Sequence, residues 1–187
     1  MTISSIAFGI AAMALTASAM AVEVGGISVN DRAVVGGKEL VLNGAGIRTR
    51  AIFKVYVGSL YIPAKAPNLA AVLAQAPRRI QLNLLRNLSG DQLSEAVVDG
   101  LKDNNSAADV AAVKAQTDQF IAIAKAFGDL KEGSVVTLDY VDGATKIGFN
   151  GAEKGTVPGE AFNRALTRIW LGDKPVQADL KQSLLGG

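Results

Sequence analysis

The chain has 187 residues, with 19 Lys or Arg against 17 Asp or Glu, so its formal net charge is +2. This near balance excludes a polybasic nucleic-acid binder and an acidic disordered tail, and 49% apolar residues suffice for a packed core. The sequence contains no Cys and no His. Disulfide scaffolds, thiolate or imidazole metal sites, Ser-His-Asp triads and cysteine nucleophiles are therefore excluded.

The first 21 residues have the pattern of a secretory signal. Residues 2–21 carry no charge, residues 6–15 form an apolar run, and the run ends in small-x-small patterns typical of signal cleavage sites. The run is too short to span a membrane, which takes about 20 apolar residues. We therefore expect residues 1–21 to be removed and residues 22–187 to form one periplasmic domain. The alternative for the N-terminal run is a buried helix.

Apolar and polar residues alternate through the first half of the predicted mature chain, which indicates β-strands. The longest β-favouring stretch is expected to run unbroken until Pro63, because it is rich in Val, Ile, Phe and Tyr. The predicted strands are a hairpin over 22–29 around Gly25-Gly26, a strand over 39–42 closed by residues 43–46, a strand over 47–62 and a strand over 79–87.

Helical periodicity begins at residue 89. Ser89 and Gln92 match a capping box, in which each side chain satisfies a backbone group of the first turn. The later elements are predicted as a helix from Asp109 to Gly128, a hairpin turning at Asp142-Gly143, a helix between Pro158 and Gly172, and a last helix from Asp173. Strands and helices fall into blocks, which predicts an α+β fold with a large antiparallel sheet covered by helices on one face.

No cofactor or metal site is expected. The glycine pairs Gly25-Gly26 and Gly36-Gly37 lack the spacing and the following helix of a phosphate-binding loop. An oxygen-only metal site would need an acidic cluster, and none of the D-x-D type is present.

The candidate binding residues lie in the predicted strand over 47–62. If that strand is regular, Arg48, Arg50 and Tyr56 share one face, because side chains two residues apart point the same way. A guanidinium can bind a carboxylate or phenolate through two hydrogen bonds, and a phenol can add a third. The alternative is a solvated sheet face on which these charges have no ligand.

Several short motifs, taken in order, resemble the chalcone isomerase superfamily. They are Gly44-Ala-Gly-Ile-Arg48, Phe53-Lys-Val-Tyr56, Leu60-Tyr61-Ile62, Gln92-Leu-Ser-Glu-Ala-Val97, residues 134–158 and residues 161–172. The resemblance covers residues 36–185 and implies an open-faced β-sandwich with a ligand cleft between the sheet and the helices.

The resemblance also implies roles for two strand positions. In true chalcone isomerases a strand arginine stabilises the oxyanion as a phenolate closes onto an enone. Arg48 matches that arginine, and Arg50 is the second choice. The plant fatty-acid-binding members carry Arg and Tyr at the positions of Arg48 and Tyr56, and use them to hold a carboxylate.

Two departures from the true isomerases argue against efficient chalcone cyclisation. Leu93 stands where the enzymes have a tyrosine that organises a catalytic water, and Gly100 stands where they have an asparagine. The segment after Arg48 is also several residues shorter than in the plant enzymes.

Three hypotheses for the function follow, in order of preference. The first is a noncatalytic carrier of a small apolar carboxylate, such as a fatty acid, held by Arg48 and Tyr56. The second is a structural or protein-interaction module in which Arg48 pairs with a helix carboxylate such as Asp91 or Glu95. The third is a weak isomerase (an intramolecular lyase) on phenolic enones, with Arg48 as the only catalytic candidate.

Overall fold

A seven-stranded antiparallel sheet organises the chain. The structure is a computed structural model that describes residues 21–187. The predicted signal segment, apart from its last residue, Ala21, therefore lies outside the described residues.

Strands and helices fall largely into the predicted blocks, apart from a short helix over residues 69–73 that was not predicted. The strands are β1 (Ala21–Val24), β2 (Ile27–Asn30), β3 (Arg32–Val35), β4 (Lys38–Arg50), β5 (Phe53–Ile62), β6 (Arg78–Leu84), β7 (Leu88–Ser89), β8 (Asp129–Leu130), β9 (Val135–Val141), β10 (Ala144–Phe149) and β11 (Ala152–Pro158). The helices are α1 (Leu69–Leu73), α2 (Gly90–Asn104), α3 (Ala107–Ala112), α4 (Lys114–Lys125), α5 (Glu160–Leu171) and α6 (Ala178–Leu184). The large sheet has the order β11-β10-β9-β6-β5-β4-β3.

The two faces of the large sheet are covered differently. The helices cover one face, where apolar side chains of β5, β6, β9 and β10 meet those of α2, α4, α5 and α6 in the main core. The β1–β2 hairpin covers part of the other face, over a smaller cluster that includes Val57 and Tyr61. The rest of that face is polar and open. Along β6, buried residues alternate with half-buried ones, and the half-buried Arg79 and Gln81 line a cleft on this face. This arrangement confirms the predicted α+β fold with one helical layer.

The strand over 47–62 was predicted as unbroken, and this is wrong. β4 ends at Arg50, a two-residue turn at Ala51 and Ile52 follows, and β5 returns antiparallel. Ala51 adopts a positive φ of 54°, which an alanine–isoleucine pair does not signal in sequence.

Two further boundaries also differ from the prediction. The predicted helix over 109–128 is two helices that meet at Val113, whose φ and ψ of −106° and 16° leave the helical region. The last helix begins at Ala178 and not at Asp173, because Gln177 is extended and contacts β4.

Residues 43–46 do not form the predicted turn. β4 continues through them, and α6 packs on this part of the strand. A Cβ at Gly44 would lie 1.9 Å from the carbonyl oxygen of Ser183, so glycine allows the helix to approach the strand backbone. The Asn43 side chain holds the end of this helix by donating to the carbonyl oxygen of Leu184 at 2.7 Å. The glycines therefore serve close packing here, not chain reversal.

We predict that Gly44→Ala lowers the free energy of unfolding by about 2 kcal/mol or more, because the new methyl group overlaps backbone that cannot move independently. Gly58→Ala is the matched control on β5, since its Cβ would make an ordinary 3.5 Å contact with Leu180. Urea denaturation of both variants measures the difference. Equal stability of the two variants would contradict this account of how α6 is seated.

Candidate functional site

Arg48 and Tyr56 lie directly opposite each other on β4 and β5. Near the turn, Arg50 pairs with Phe53 and Thr49 with Lys54, and a one-residue shift then pairs Arg48 with Tyr56 in place of Val55. Opposite residues in an antiparallel pair share a face, so this bulge determines which side chain accompanies Arg48. Tyr56 packs against the main core, which places the pair on the helix-covered face.

The Tyr56 hydroxyl lies under α5. Trp170, which is 4% exposed, donates from Nε1 to Tyr56 Oη at 2.9 Å. Burial raises the pKa of Tyr56 to about 12, and the Trp170 hydrogen bond and the charge of Arg48 offset only part of that effect. The phenol is therefore a neutral hydrogen-bond donor at physiological pH, and among residues 21–187 its proton has no acceptor.

Arg48 is half-buried, and the two acceptors to which it donates are uncharged. Its Nη1 donates to the carbonyl oxygen of Thr49 and, at 3.3 Å, to Gln177 Oε1. None of the ion pairs within residues 21–187 includes Arg48. Its Nε and Nη2 groups have no hydrogen-bond acceptor in the same part of the chain. The guanidinium thus retains donors and a full charge that the described residues do not neutralise.

The Gln177 side chain connects α6 to the strand that carries Arg48. Its Oε1 accepts from the Thr49 backbone N–H at 2.8 Å, and its Nε2 donates to the carbonyl oxygen of Ile47 at 3.2 Å. These two bonds replace the pairing that a neighbouring strand would give to this edge of β4. Gln177 therefore fixes both the strand edge and one face of the Arg48 guanidinium.

The candidate site consists of Arg48, Tyr56, Trp170 and Gln177, and the last two had no functional signal in the sequence. Trp170 was expected at the edge of the apolar stripe of its helix, and Gln177 within the last helix. Being the chain's one tryptophan, Trp170 could have been noticed as a possible hydrogen-bond donor. Gln177 carries no comparable signal, because its role depends on where α6 crosses β4.

Arg50, the second choice for the anion ligand, is exposed next to the turn. The unpaired residue of the bulge, Val55, lies on β5, and Arg50 lies opposite Phe53 beside the turn.

The pairing of Arg48 with Asp91 or Glu95 does not form. Asp91 lies 3.1 Å from Lys125 Nζ, and Glu95 is exposed on the same helix. The physical reason is that α2 packs on α4 and α5, whereas α6 is the helix that covers β4.

Neither of two clefts on the surface of residues 21–187 is lined by Arg48 or Tyr56. One lies on the open sheet face beside Arg79 and Asp139, and the other lies beside α6 near Lys181. Residues 21–187 contain no group of Asp and Glu side chains arranged to hold a metal ion. None of the helices in this range has the length and apolarity that a membrane crossing requires.

The chalcone isomerase-like family model matches residues 21–186. The chain belongs to the chalcone isomerase-like family. A fatty-acid binding protein of Arabidopsis thaliana has a similar fold, with a TM-score of 0.66 and 15% identity over 86% of this chain and 92% of that one. No curated protein sequence matches the chain. The family and fold inferred from the short motifs are thus confirmed.

The positions at which this chalcone isomerase-like protein departs from the true isomerases are apolar and tightly packed. A Cβ at Gly100 would lie 2.7 Å from Ile169, because α2 and α5 cross closely there. Leu93 packs against the main core. An asparagine at position 100 would therefore require Ile169 to move.

We predict that Tyr56 titrates near pH 12, whereas an exposed tyrosine titrates near 10. Because the folded-state pKa is raised, the stability linked to this group is complete below pH 10 and is lost as the pH rises from 10 to 12. The tyrosinate absorbance of the protein minus that of Tyr56→Phe isolates this group from Tyr61 and Tyr140. A midpoint near 10 in the difference titration would show that the hydroxyl is not buried under Trp170.

Proposed function

We propose that this protein binds a small apolar carboxylate, such as a fatty acid, without converting it chemically. The observation that carries the proposal is the half-buried Arg48 guanidinium, which donates to two uncharged acceptors and retains donors without acceptors among residues 21–187. A partly buried charge is costly unless an opposite charge compensates it. A ligand carboxylate would supply that charge, and Arg48 could bind both of its oxygens.

Tyr56 suits the same ligand. A tyrosine phenol is neutral near pH 7, so Tyr56 can donate a hydrogen bond without adding negative charge beside the carboxylate, and its raised pKa extends this to higher pH. Trp170 fixes the position of the hydroxyl oxygen and leaves its proton free. Arg48 and Tyr56 would therefore approach one carboxylate from two neighbouring strands.

The apolar part of the ligand would have to displace packed side chains between the sheet and the helices, because neither of the two clefts on the surface of residues 21–187 is lined by Arg48 or Tyr56. Tyr56 borders the main core, so a chain attached to the bound carboxylate would enter apolar surroundings. Each buried methylene contributes about 0.8 kcal/mol to affinity. The Arabidopsis neighbour, described as a fatty-acid binding protein, shares the fold and supports this choice of ligand class.

A noncatalytic role fits the packing at positions 93 and 100. Leu93 offers no group to orient a water, and Gly100 faces Ile169 with no room for a polar side chain. Arg48 and Tyr56 can stabilise an anion, but neither group is placed to exchange a proton near neutral pH.

The site of action that we propose is the periplasm. The support is the charge-free run and small-x-small pattern of residues 1–21. Separation of periplasmic and cytoplasmic fractions, followed by sequencing of the protein's N-terminus, tests this placement. A protein in the cytoplasmic fraction that retains residues 1–21 would contradict it.

We predict that Arg48→Met weakens fatty-acid binding about tenfold to a hundredfold, the worth of a charged hydrogen bond. Displacement of a fluorescent fatty acid measures the affinity. Arg32→Met is the matched control, since Arg32 on β3 pairs with Glu39 on β4 and has no contact with Arg48 among the hydrogen bonds and ion pairs of residues 21–187. The methyl ester of the same fatty acid should bind the wild type and Arg48→Met equally, because it carries no charge. An equal loss for acid and ester would show that Arg48 is structural.

We also predict no cyclisation of a hydroxychalcone above the spontaneous rate, in the wild type and in Leu93→Tyr alike, because the packing around Gly100 remains. A spectrophotometric assay follows the loss of the enone chromophore. Turnover that disappears in Arg48→Met would overturn the noncatalytic proposal and support a weak isomerase.

A further inference from the structure

The turn between β4 and β5 is an exposed apolar tip. Ile52 is 86% exposed and Phe53 is 53% exposed, and Ile52 is the most exposed large hydrophobic residue of residues 21–187. Both belong to the short segment 51–53, which we call the apolar tip. Exposure of adjacent large apolar side chains at the end of a hairpin marks a surface that contacts something other than water.

The composition of this turn differs from that of the other hairpins. Five two-residue turns join strands within residues 21–187, and four of them use residue pairs that favour positive φ. Those four pairs are Gly25-Gly26, Gly36-Gly37, Asp142-Gly143 and Asn150-Gly151. The β4–β5 turn instead holds Ala51 at a φ of 54° and places an isoleucine beside it. The chain thus accepts backbone strain and an exposed apolar side chain at one turn alone.

Cations surround the apolar tip. Arg50 and Lys54 flank it in sequence, and the Arg86 guanidinium lies 4.7 Å from the centre of the Phe53 ring. None of these three cations forms an ion pair within the described part of the chain. Residues 40–62, which include the tip and most of both of its strands, contain three Lys or Arg and no Asp or Glu. This end of the sheet therefore carries a local positive charge in a nearly neutral protein.

We propose that the apolar tip docks on the surface of a bilayer that contains anionic phospholipids. Ile52 and Phe53 would enter the boundary between headgroups and acyl chains, and Arg50, Lys54 and Arg86 would contact the lipid phosphates. An apolar projection within a ring of cations is complementary to that surface in both polarity and charge. A protein partner with a purely apolar groove would leave the three cations without counter-charges.

Docking in this orientation places the candidate binding pair close to the lipid. Arg48 and Tyr56 are each three residues from the tip, which is about 10 Å along a strand. An acid leaving the headgroup region would therefore have a short path to them. The docking itself does not depend on the proposed function, because the tip and its cations would act in the same way without a fatty-acid site.

A local probe tests the proposal on the full chain. The chain has no Cys, so Ile52→Cys provides a single thiol for a polarity-sensitive fluorophore. We expect a blue shift, and quenching by bromolipids, on vesicles of equimolar phosphatidylcholine and phosphatidylglycerol. Vesicles of phosphatidylcholine alone, or high salt, should remove most of the response because the cations then lose their attraction. A probe that responds equally to neutral vesicles, or not at all, overturns the proposal.

Val34→Cys is the control for general adsorption, since Val34 is 65% exposed on β3 outside this cluster of cations. This control is needed because the apolar run of residues 6–15 could itself bring the chain to a vesicle. Only the probe at position 52 should enter the bilayer. Equal fluorescence responses at both positions would contradict docking through the tip. A blue shift of the probe at position 52 that appears without vesicles and grows with protein concentration would also contradict it, because it would indicate self-association.

Charge removal adds a second test. In the Ile52→Cys background, Lys54→Gln should weaken vesicle binding about fivefold, the worth of one cation at an anionic surface. Lys102→Gln removes an equal charge from α2 and should leave the probe response unchanged. Equal effects of the two substitutions would show that vesicle binding depends only on the net charge of the protein, and would contradict docking through the apolar tip.

The two proposals fail separately. Fatty-acid binding without vesicles should persist in Lys54→Gln, whereas Tyr56→Phe should weaken it and leave the response of the tip probe intact. If the tip probe does not respond to vesicles but fatty-acid affinity is normal, only the docking proposal is refuted. Normal docking without fatty-acid affinity refutes the proposed function alone.

Discussion

The hydrogen bonds from the Gln177 side chain to β4 hold together the region on which the functional account depends. They join α6 to the strand backbone at Ile47 and Thr49, and they give Arg48 a neutral acceptor. Gly44 and Asn43 secure the other end of the same helix. The result is a closed helical layer over β4 that contributes no carboxylate to Arg48, so the charge of the guanidinium stays available within a half-buried setting.

The sequence placed Arg48 and Tyr56 on one face, but by a route that the structure corrects. That placement relied on alternation along a single strand from residue 48 to residue 56. In the structure these two residues lie on different strands, β4 and β5. A regular two-residue hairpin would instead pair Arg48 with Val55, and the bulge restores Tyr56 as its partner. Bulges and apolar turns leave little local signal, since both depend on contacts with distant elements. The capping box and the glycine turns were predictable because their causes lie within a few residues.

The same limit explains the misread glycines. Gly44 was expected to end a strand, yet it lies inside one, because a helix about 140 residues further along the chain needs the space above it. Trp170 and Gln177 join the candidate site for a similar reason: α5 and α6 bring them to β4 and β5 from the end of the chain. The blocks of strands and helices, together with the family resemblance, supplied the overall fold, whereas the positions of Trp170 and Gln177 required the packing of α5 and α6.

The central claim is that Arg48 is an unneutralised cation that awaits a carboxylate. The most direct measurement is a carbon-13 NMR titration of a fatty acid labelled at its carboxyl carbon and bound to the protein. The account predicts that the bound carboxyl has a pKa below that of a free carboxylic acid, and that Arg48→Met raises this pKa above it, since burial alone then acts. A bound carboxyl whose pKa is already raised in the wild type, and unchanged in Arg48→Met, would contradict the account.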